Sequence, residues 1–307
     1  MTTILIRSGT VVDSTGTRPA DVAVADGVIV ESIDGDPDVT IDARGLTVTP
    51  GFVDLHTHLR EPGKEEAETI ETGSRAAALG GYTAVVAMPN TDPTQDCVSV
   101  VDFVRRQGKI AGLCDVHPSA SITVGRAGKQ LTPFAELAEA GVRLFTDDGN
   151  GVQDPLLMRR AFEYSKGLGI SMAQHCEVEQ LTGGALLHVG DCWSHLGFPG
   201  WPALAEELMV HRDIELVRLT GAPAHFLHLS TVKSVELVRQ AKSDGLPVTA
   251  EATPHHISLT DELLRSYSAI YKVTPPLRTM DDVVAVRDGL ADGTIDAIAT
   301  DHAPHVA

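Results

Sequence analysis

Long apolar runs, a signal sequence and patterned cysteines are all missing from this sequence. No segment reaches the ~18–20 apolar residues of a membrane span, and the stretch MTTILIRSGTVVDSTG has neither a long apolar region nor a cleavage site. The four cysteines show no C-x-x-C pair or regular spacing, so we expect reduced, packed thiols. These absences predict a cytoplasmic protein with no membrane segment.

Basic residues are scarce relative to acidic ones. The 307 residues include 24 Lys and Arg against 42 Asp and Glu, a formal net charge of −18. Such an acidic surface argues against nucleic acid or an anionic membrane as the main partner. It still allows a small anionic substrate in a locally basic pocket. Hydrophobic residues form 43% of the chain, which is ordinary for one large globular domain with a smaller one.

The predicted secondary structure changes near residue 50. Residues 1–50 alternate short β-branched runs with Gly, Asp and Pro, which predicts hairpins of a small β-domain. From Gly51 onward, apolar strands alternate with amphipathic helical stretches, several of which are followed by glycine. The predicted strands are 51–55, 83–88, 111–116, 142–146, 170–174, 224–229, 247–251 and 295–300, and the clearest helices are 65–80, 98–109, 155–168 and 231–244.

Eight apolar strands separated by helices are typical of a parallel sheet that is buried on both faces. We therefore predict an α/β fold in which residues 51–307 form a (β/α)8, TIM-like barrel, with the small β-domain before it.

The stretch GFVDLHTHLREPG, residues 51–63, gives the first functional signal. Alternate residues of a strand face the same side, so His56, His58 and Arg60 project together from the end of an apolar run. Polar residues also follow other predicted strands at their C-terminal ends, namely Asn90, Asp147, Asp148, His175, His228, His255, His256, Asp301 and His302. In a barrel these ends meet at one mouth, where active sites of this fold are built.

Imidazoles and carboxylates at one mouth suit one or two divalent metals of the zinc type. Taken singly, a lone histidine is usually a hydrogen-bonded structural residue, and a DDG sequence is usually a turn. The joint pattern favours a metal site, because five strands contribute metal-type side chains at the same end. His255 and His256 lie at the right rim to support ligands. The other histidines are expected in packed or solvated positions: His117, His188, His195, His211 and His225.

The motifs at these positions resemble those of class I dihydroorotases, in the amidohydrolase superfamily. The matching segments run in order to residue 305 and read PGFVDLHTHLREPG, ETGSRAAALGGYTAVVAMPNTDP, LFTDDGNGVQ, QHCE, HLST, TAEATPHH, PPLR and DGTIDAIATDHAPH. REPG together with MPNT is fairly specific to dihydroorotases and their nearest relatives. TDDG separates this class from hydantoinases, which carry a carboxylated lysine at the fourth strand.

The resemblance implies a two-metal site with zinc, one or two ions per chain. His56, His58 and Asp301 resemble the ligands of a first metal. His175 and His228 resemble those of a second, and Asp148 resembles the carboxylate that bridges both. Asp301 would also be the general base, which takes a proton from the metal-bound water and passes it to the leaving nitrogen. The hydroxide that this leaves between the metals would be the nucleophile.

The resemblance also implies the substrate and the reaction. Arg60, Asn90 and His305 resemble the groups that hold a substrate carboxylate, and a guanidinium can clamp such a group with two hydrogen bonds. The implied reaction is the reversible conversion of L-dihydroorotate to N-carbamoyl-L-aspartate in pyrimidine biosynthesis. Besides this small-molecule substrate, the expected partners are a second copy of the chain or an aspartate transcarbamoylase.

Two features depart from the family pattern. Thr274, in YKVTPPLR, stands where the family typically has an asparagine that contacts the substrate ring, and its single hydroxyl lacks the amide's paired donor and acceptor. The sequence also ends at Ala307, just after the eighth strand. We therefore expect the C-terminal part of the family fold, including the last barrel helix, to be absent from this chain.

Two alternative functions stay open from the residues. One is another cyclic amidohydrolase, such as an allantoinase or a dihydropyrimidinase, against which Arg60 and the lack of a strand-four lysine argue. The other is a catalytically silent homologue that serves as a scaffold for a transcarbamoylase, against which the complete set of ligand-type residues argues.

Overall fold

The structure is a computed structural model that describes residues 2–306. The chain separates into two compact units, Met1–Phe52 and Val53–Ala307. No helix in the described part of the chain is both long and apolar enough to cross a membrane.

The first unit is a β-sheet. Its strands are β1 (Thr3–Asp13), β2 (Gly16–Ala25), β3 (Val28–Val30), β4 (Val39–Asp42) and β5 (Thr47–Val48). β2 pairs antiparallel with β1 and β3, whereas β4 and β5 pair parallel with β1. A Cβ at Gly9 would lie 2.7 Å from Val48 Cγ2. Glycine at this position therefore allows β5 to lie close against β1.

The second unit is built on parallel strands. These are β6 (Phe52–Thr57), β7 (Tyr82–Ala87), β8 (Asp115–Pro118), β9 (Leu144–Phe145), β10 (Ser171–Gln174), β11 (Leu187–His188), β12 (Gly200–Trp201), β13 (Ala224–Phe226), β14 (Val248–Ala252) and β15 (Ala297–Ile298). The first of them, β6, begins one residue before the boundary of the unit at Val53.

Two sheets of this unit carry most of these strands. One has the order β6-β7-β8 and the other β9-β10-β13-β14-β15, and β11 pairs separately with β12. Parallel bridges also join Ala120 to Phe145 and Thr57 to His302. The prediction of an α/β fold is therefore confirmed.

Helices connect the strands. They are α1 (Ile70–Leu79), α2 (Val98–Ala111), α3 (Phe134–Glu139), α4 (Pro155–Ser165), α5 (Glu179–Thr182), α6 (Asp191–Leu196), α7 (Leu204–Thr220), α8 (Val232–Ser243) and α9 (Met280–Ala291), with 3-10 turns at Val124–Arg126, Asp261–Ser266 and Ala269–Tyr271. Side-chain caps fix several starts. Thr69 and Thr279 form capping boxes, and Asp154 accepts hydrogen bonds from the first turn of α4.

The predicted third strand, 111–116, was wrong in position. Helix α2 continues to Ala111 and ends at Gly112, whose left-handed φ of 62° closes the helix through a hydrogen bond to the Gly108 carbonyl. Only after this cap does the chain extend, so the strand runs from Asp115 to Pro118. The apolar residues before the cap belong to the helix, and a run of apolar residues alone does not distinguish the two structures.

The core of the second unit packs helices against the sheet. Phe134, Phe145, Phe162 and Phe226 are fully buried in one cluster with side chains of β10 and α7. Burying such a side chain contributes about 1.5–3 kcal/mol. This packing fixes the strands whose C-terminal ends carry the polar residues.

Candidate metal centre

The first histidine pair stands at the end of β6. His56 lies in the strand and is fully buried, and His58 follows two residues later on the same alternation. His56 Nε2 lies 3.4 Å from Asp148 Oδ2 and 3.4 Å from Asp301 Oδ1. His58 Nε2 lies 3.3 Å and 3.1 Å from the same two oxygens. Four predicted ligands from three parts of the chain therefore meet at one point.

The second histidine pair faces the other oxygen of Asp148. His175 Nδ1 and His228 Nε2 each lie 3.5 Å from Asp148 Oδ1, and the two ring nitrogens are 3.0 Å apart. His175 directly follows β10, and His228 lies two residues past β13. We call the group of His56, His58 and Asp148 the first subsite, and the group of Asp148, His175 and His228 the second subsite.

The chemistry of these groups fits a pair of metal ions. In each subsite one ligand atom per residue lies within 4.8 Å of the others. Within the described residues, His56 Nε2 and Asp148 Oδ1 are buried atoms without a hydrogen-bond partner. A buried polar atom with no partner is costly, and a cation between the ligands would satisfy both. Imidazole nitrogens with carboxylate oxygens are the donor set of zinc-type ions.

The electrostatics keep the carboxylates ionised. Burial alone would raise the pKa of Asp301, but His56 nearby and a hydrogen bond from His58 hold that pKa well below its usual range. At Asp148 burial again raises the pKa, but His56 and the histidines of the second subsite outweigh it and hold the pKa of this carboxyl far below its usual range. Against the effect of burial, Asp148 and Glu177 raise the pKa of His175 to about 9. The site therefore strongly favours positive charge.

Three histidines have hydrogen-bond partners on the side away from Asp148. His56 Nδ1 lies 2.8 Å from Glu251 Oε1, and His175 Nε2 lies 3.0 Å from Glu177 Oε2. His58 Nδ1 donates to Asn90 Oδ1 at 2.8 Å. Asn90, predicted as a substrate contact, thus also holds a candidate ligand in place.

Sequence reasoning missed both glutamates. Glu177 follows His175 by two residues in QHCE, and Glu251 is a charged residue inside the apolar strand β14. An acidic residue in a buried strand was a usable signal, because it needs a partner to offset its burial. Nothing in the sequence indicated that the partner is His56.

A cavity of about 810 Å³ opens beside the two subsites. The predicted substrate-binding residues all line it, namely Arg60, Asn90, Thr274 and His305. Arg60 is only 8% exposed, and its Nε donates to the Pro304 carbonyl at 3.0 Å. Lys272 and His255 also line the cavity. Lys272 adds positive charge to its wall, whereas burial lowers the pKa of His255 to about 4 and keeps that ring neutral.

Three side chains of the site stand on left-handed backbone. Arg60, His228 and Asp301 have φ values of 61°, 34° and 49°. Non-glycine residues rarely adopt this conformation, which costs of order 1–3 kcal/mol each and concentrates at functional sites.

The remaining histidines lie outside both subsites. His117, His195 and His211 are exposed, whereas His188 and His225 are buried and hydrogen-bonded. His256 bonds Thr253 and the Pro275 carbonyl.

Solved structures share this fold. An L-hydantoinase from Arthrobacter aurescens matches 99% of the chain with a TM-score of 0.83 at 23% identity, covering 70% of its own length. A D-hydantoinase matches all of the chain with a TM-score of 0.78 at 25% identity, again over 70% of its length. The likeness to the first shows the fold alone. Fold and site together define an α/β protein with two candidate metal subsites that share Asp148.

Sequence comparison narrows this class. Residues 45–236 match the family model described as dihydro-orotase-like. The chain is 50% identical to a dihydroorotase of Streptomyces coelicolor, over 99% of the chain and 72% of the relative. It is 52% identical to one of Mycobacterium tuberculosis, over 94% and 70%. The chain belongs to the dihydroorotase-like family, which confirms the resemblance predicted from its motifs.

Proposed function

We propose that the chain interconverts L-dihydroorotate and N-carbamoyl-L-aspartate, the dihydroorotase reaction of pyrimidine biosynthesis. The observation that carries this proposal is that two histidine–aspartate groups sharing Asp148 lie beside a cavity whose wall includes Arg60. Identity of about 50% to curated dihydroorotases supports the same activity.

We also propose that the parallel strands close into a (β/α)8 barrel over residues 51–307, with residues 1–50 as a small β-domain. The barrel order would be β6, β7, β8, β9, β10, β13, β14, β15 and back to β6. Support comes from the bridge between Ala120 and Phe145 and from that between Thr57 and His302, since each joins one sheet edge to the other. In a closed barrel the site residues would surround the mouth.

The proposed cofactor is zinc, with one or two ions per chain. His56, His58 and Asp301 would hold the first ion, His175 and His228 the second, and Asp148 would bridge them. When bound, such a metal pair activates water and polarises the carbonyl that is attacked. The donor set and the unpartnered His56 Nε2 and Asp148 Oδ1 support this assignment.

In the proposed mechanism Asp301 moves the proton. Its lowered pKa keeps it ionised, so it can accept a proton from the attacking water and deliver it to the ring nitrogen as the amide bond breaks. In ring closure the same carboxylate takes the proton from the attacking nitrogen and delivers it to the carboxyl oxygen, which leaves as water when the C–N bond forms. Its Oδ1 lies 3.1 Å from His58 Nε2, a candidate metal ligand, which places the carboxylate at the reacting centre.

Arg60 would bind the substrate carboxylate. Its guanidinium lines the cavity while Nε is fixed by Pro304, so the remaining N–H groups can face a carboxylate with two hydrogen bonds. Asn90, Thr274 and His305 would complete the pocket, since all three line the same cavity. A neutral ring without a carboxylate would leave this cation unpaired in the complex.

Turnover of three cyclic amides tests this function. The metal-loaded protein should hydrolyse L-dihydroorotate and leave hydantoin and allantoin essentially unchanged. Arg60→Met should raise the KM for dihydroorotate with a smaller effect on kcat. Preferred hydrolysis of hydantoin or allantoin would favour the alternative amidohydrolases, and metal binding without any turnover would favour the silent scaffold.

We further propose that the enzyme works in the cytoplasm. This is supported by four free cysteines in the described chain, two of them buried. A homodimer or a complex with an aspartate transcarbamoylase stays a prediction, and light scattering of the purified protein measures the first directly.

A further inference from the structure

His56 of the first subsite and His175 of the second turn opposite ring nitrogens toward Asp148. In the first, His56 presents Nε2 to Asp148 Oδ2 at 3.4 Å. In the second, His175 presents Nδ1 to Asp148 Oδ1 at 3.5 Å. The two rings therefore need opposite tautomers if each is to offer a lone pair to a metal.

Each ring has a carboxylate on its far side. Glu251 Oε1 lies 2.8 Å from His56 Nδ1, and Glu177 Oε2 lies 3.0 Å from His175 Nε2. An ionised carboxylate only accepts hydrogen bonds, so the facing ring nitrogen must carry the proton. Glu251 therefore leaves the lone pair of His56 on Nε2, and Glu177 leaves that of His175 on Nδ1.

The carboxylates are themselves held in place. Glu251 is fully buried, and its Oε2 lies 3.1 Å from His225 Nε2. His225 Nδ1 in turn lies 2.8 Å from Thr249 Oγ1. On the other side, the hydroxyl of Thr182 donates to Glu177 Oε1. Neither carboxylate can rotate away without breaking a second hydrogen bond.

The two arms have no residue in common outside Asp148. The chain Thr249–His225–Glu251 runs on β13 and β14 to the first subsite. The chain Thr182–Glu177 runs from α5 to the second subsite. A change in one arm therefore leaves the contacts of the other intact.

Resting on the two-metal function proposed above, we propose that Glu251 and Glu177 are positioning residues that each set the metal affinity of one subsite. Glu251 acts on the first subsite through the tautomer of His56. Glu177 acts on the second through the opposite tautomer of His175.

The test combines a substitution of each glutamate with a substitution that removes a ligand from one subsite and leaves the other subsite complete. His228→Ala removes a ligand of the second subsite, and His58→Ala removes one of the first. Into each background Glu251→Gln and Glu177→Gln are introduced separately, since glutamine keeps the shape and removes the charge. Zinc affinity of the metal-depleted full chain is then measured by competition with a chromophoric chelator, alongside thermal unfolding of the metal-free protein.

Selective losses are expected. In the His228→Ala background, Glu251→Gln should weaken the remaining zinc about 10–100-fold, and Glu177→Gln should change it by less than about 3-fold. In the His58→Ala background the two effects should exchange. Equal losses in both backgrounds, or no loss in either, would overturn the inference. If Glu251→Gln does not fold, Glu177→Gln decides by the same comparison.

Zinc content and dihydroorotate turnover of the wild-type chain distinguish a failure of this inference from a failure of the proposed function. Two zinc ions without dihydroorotate turnover would refute the proposed function while leaving the subsite selectivity to be observed. Normal turnover with no subsite selectivity would refute only the inference.

Discussion

Asp148 joins the two halves of the site through its two oxygens. Oδ2 faces His56 and His58, and Oδ1 faces His175 and His228. A single carboxylate therefore sets the spacing of both subsites. The sequence predicted this residue as a bridge by family resemblance, because a DDG turn alone carries no such information.

Replacing Asp301 with asparagine tests the proton transfer. The amide cannot accept the proton, so kcat for dihydroorotate should fall by about 10²–10⁴-fold in both directions. Steady-state rates at matched metal content measure this. Asp288→Asn, on the exposed face of α9, is the control and should leave the rates unchanged. A loss of less than about 10-fold at full metal content would remove Asp301 from this role.

Thr274 offers a test of substrate binding. Thr274→Asn restores the donor and acceptor typical of the family, so the KM for dihydroorotate should fall while kcat stays similar. Thr274→Val keeps the shape and removes the hydroxyl, so its KM should rise, by roughly 5-fold for a hydrogen bond worth about 1 kcal/mol. Equal KM values for all three proteins would show that this side chain does not contact the substrate.

The site residues that could be predicted from the sequence are those that belong to a local sequence pattern. His56, His58 and Arg60 share one strand alternation, and His175 and His228 follow apolar runs. The link between His56 and Glu251 spans 195 positions and follows only from folding. The left-handed backbone at Asp301 and His228 could not be predicted either. Although Asp and His adopt this conformation more often than most residues, only a few per cent of non-glycine residues do so, and the local sequence does not show which ones.

At the level of elements, the eight predicted strands overlap eight of the ten strands described in the second unit, and the four predicted helices correspond to α1, α2, α4 and α8. The predicted bounds of a strand were wrong where one apolar run contains both the end of a helix and the approach to a strand, as around the Gly112 cap of α2. The 17-residue helix α7 has apolar residues around much of its circumference. Its one-sided periodicity is weak, although Met209 and Val217 are buried.

A buried polar cluster ties α7 to neighbouring elements. Arg278, at the residue before the α9 cap, donates to the Ser230 hydroxyl and to His188 Nδ1 of β11 at 3.0 and 3.1 Å. The Ser230 hydroxyl in turn donates to Glu206 of α7. This cluster joins the segment that carries Thr274 to the rest of the unit.

The cluster predicts a pH dependence of stability. Burial, reinforced by the Arg278 charge, lowers the pKa of His188 to about 4, so it stays neutral when folded. The unfolded chain binds that proton near pH 6.5. Stability from this histidine is therefore complete above about pH 6.5 and is lost as the pH falls toward 4, by roughly 1–2 kcal/mol at pH 5.

His188→Gln should reduce this loss. Urea denaturation at pH 7 and pH 5 measures it, with the exposed His211→Gln as control. The control should lose as much stability as wild type between the two pH values. An identical loss in His188→Gln would show that His188 is not the titrating group.

On the scale of the whole molecule, the metal ligands come from distant parts of the second unit. They lie at the ends of β6, β10 and β13, after β9 and after β15. Bound ions would therefore connect both parallel sheets. Bound cations would also offset a small part of the net charge of −18.

Removing the metal should therefore destabilise the fold. Metal at 100 times its Kd stabilises the native state by about 2.7 kcal/mol for a single site. A chelator should lower the midpoint of thermal unfolding by several degrees, and added zinc should restore it. Asp148→Asn should show a low midpoint that zinc no longer raises. A midpoint insensitive to chelation in wild type would contradict a structural contribution from the metal.

The most direct measurement is metal content and dihydroorotate turnover on one purified sample. The proposed site predicts one or two zinc ions per chain, with turnover that disappears on chelation and returns as zinc is added back. Fewer than one metal per chain together with no turnover after zinc reconstitution would contradict it.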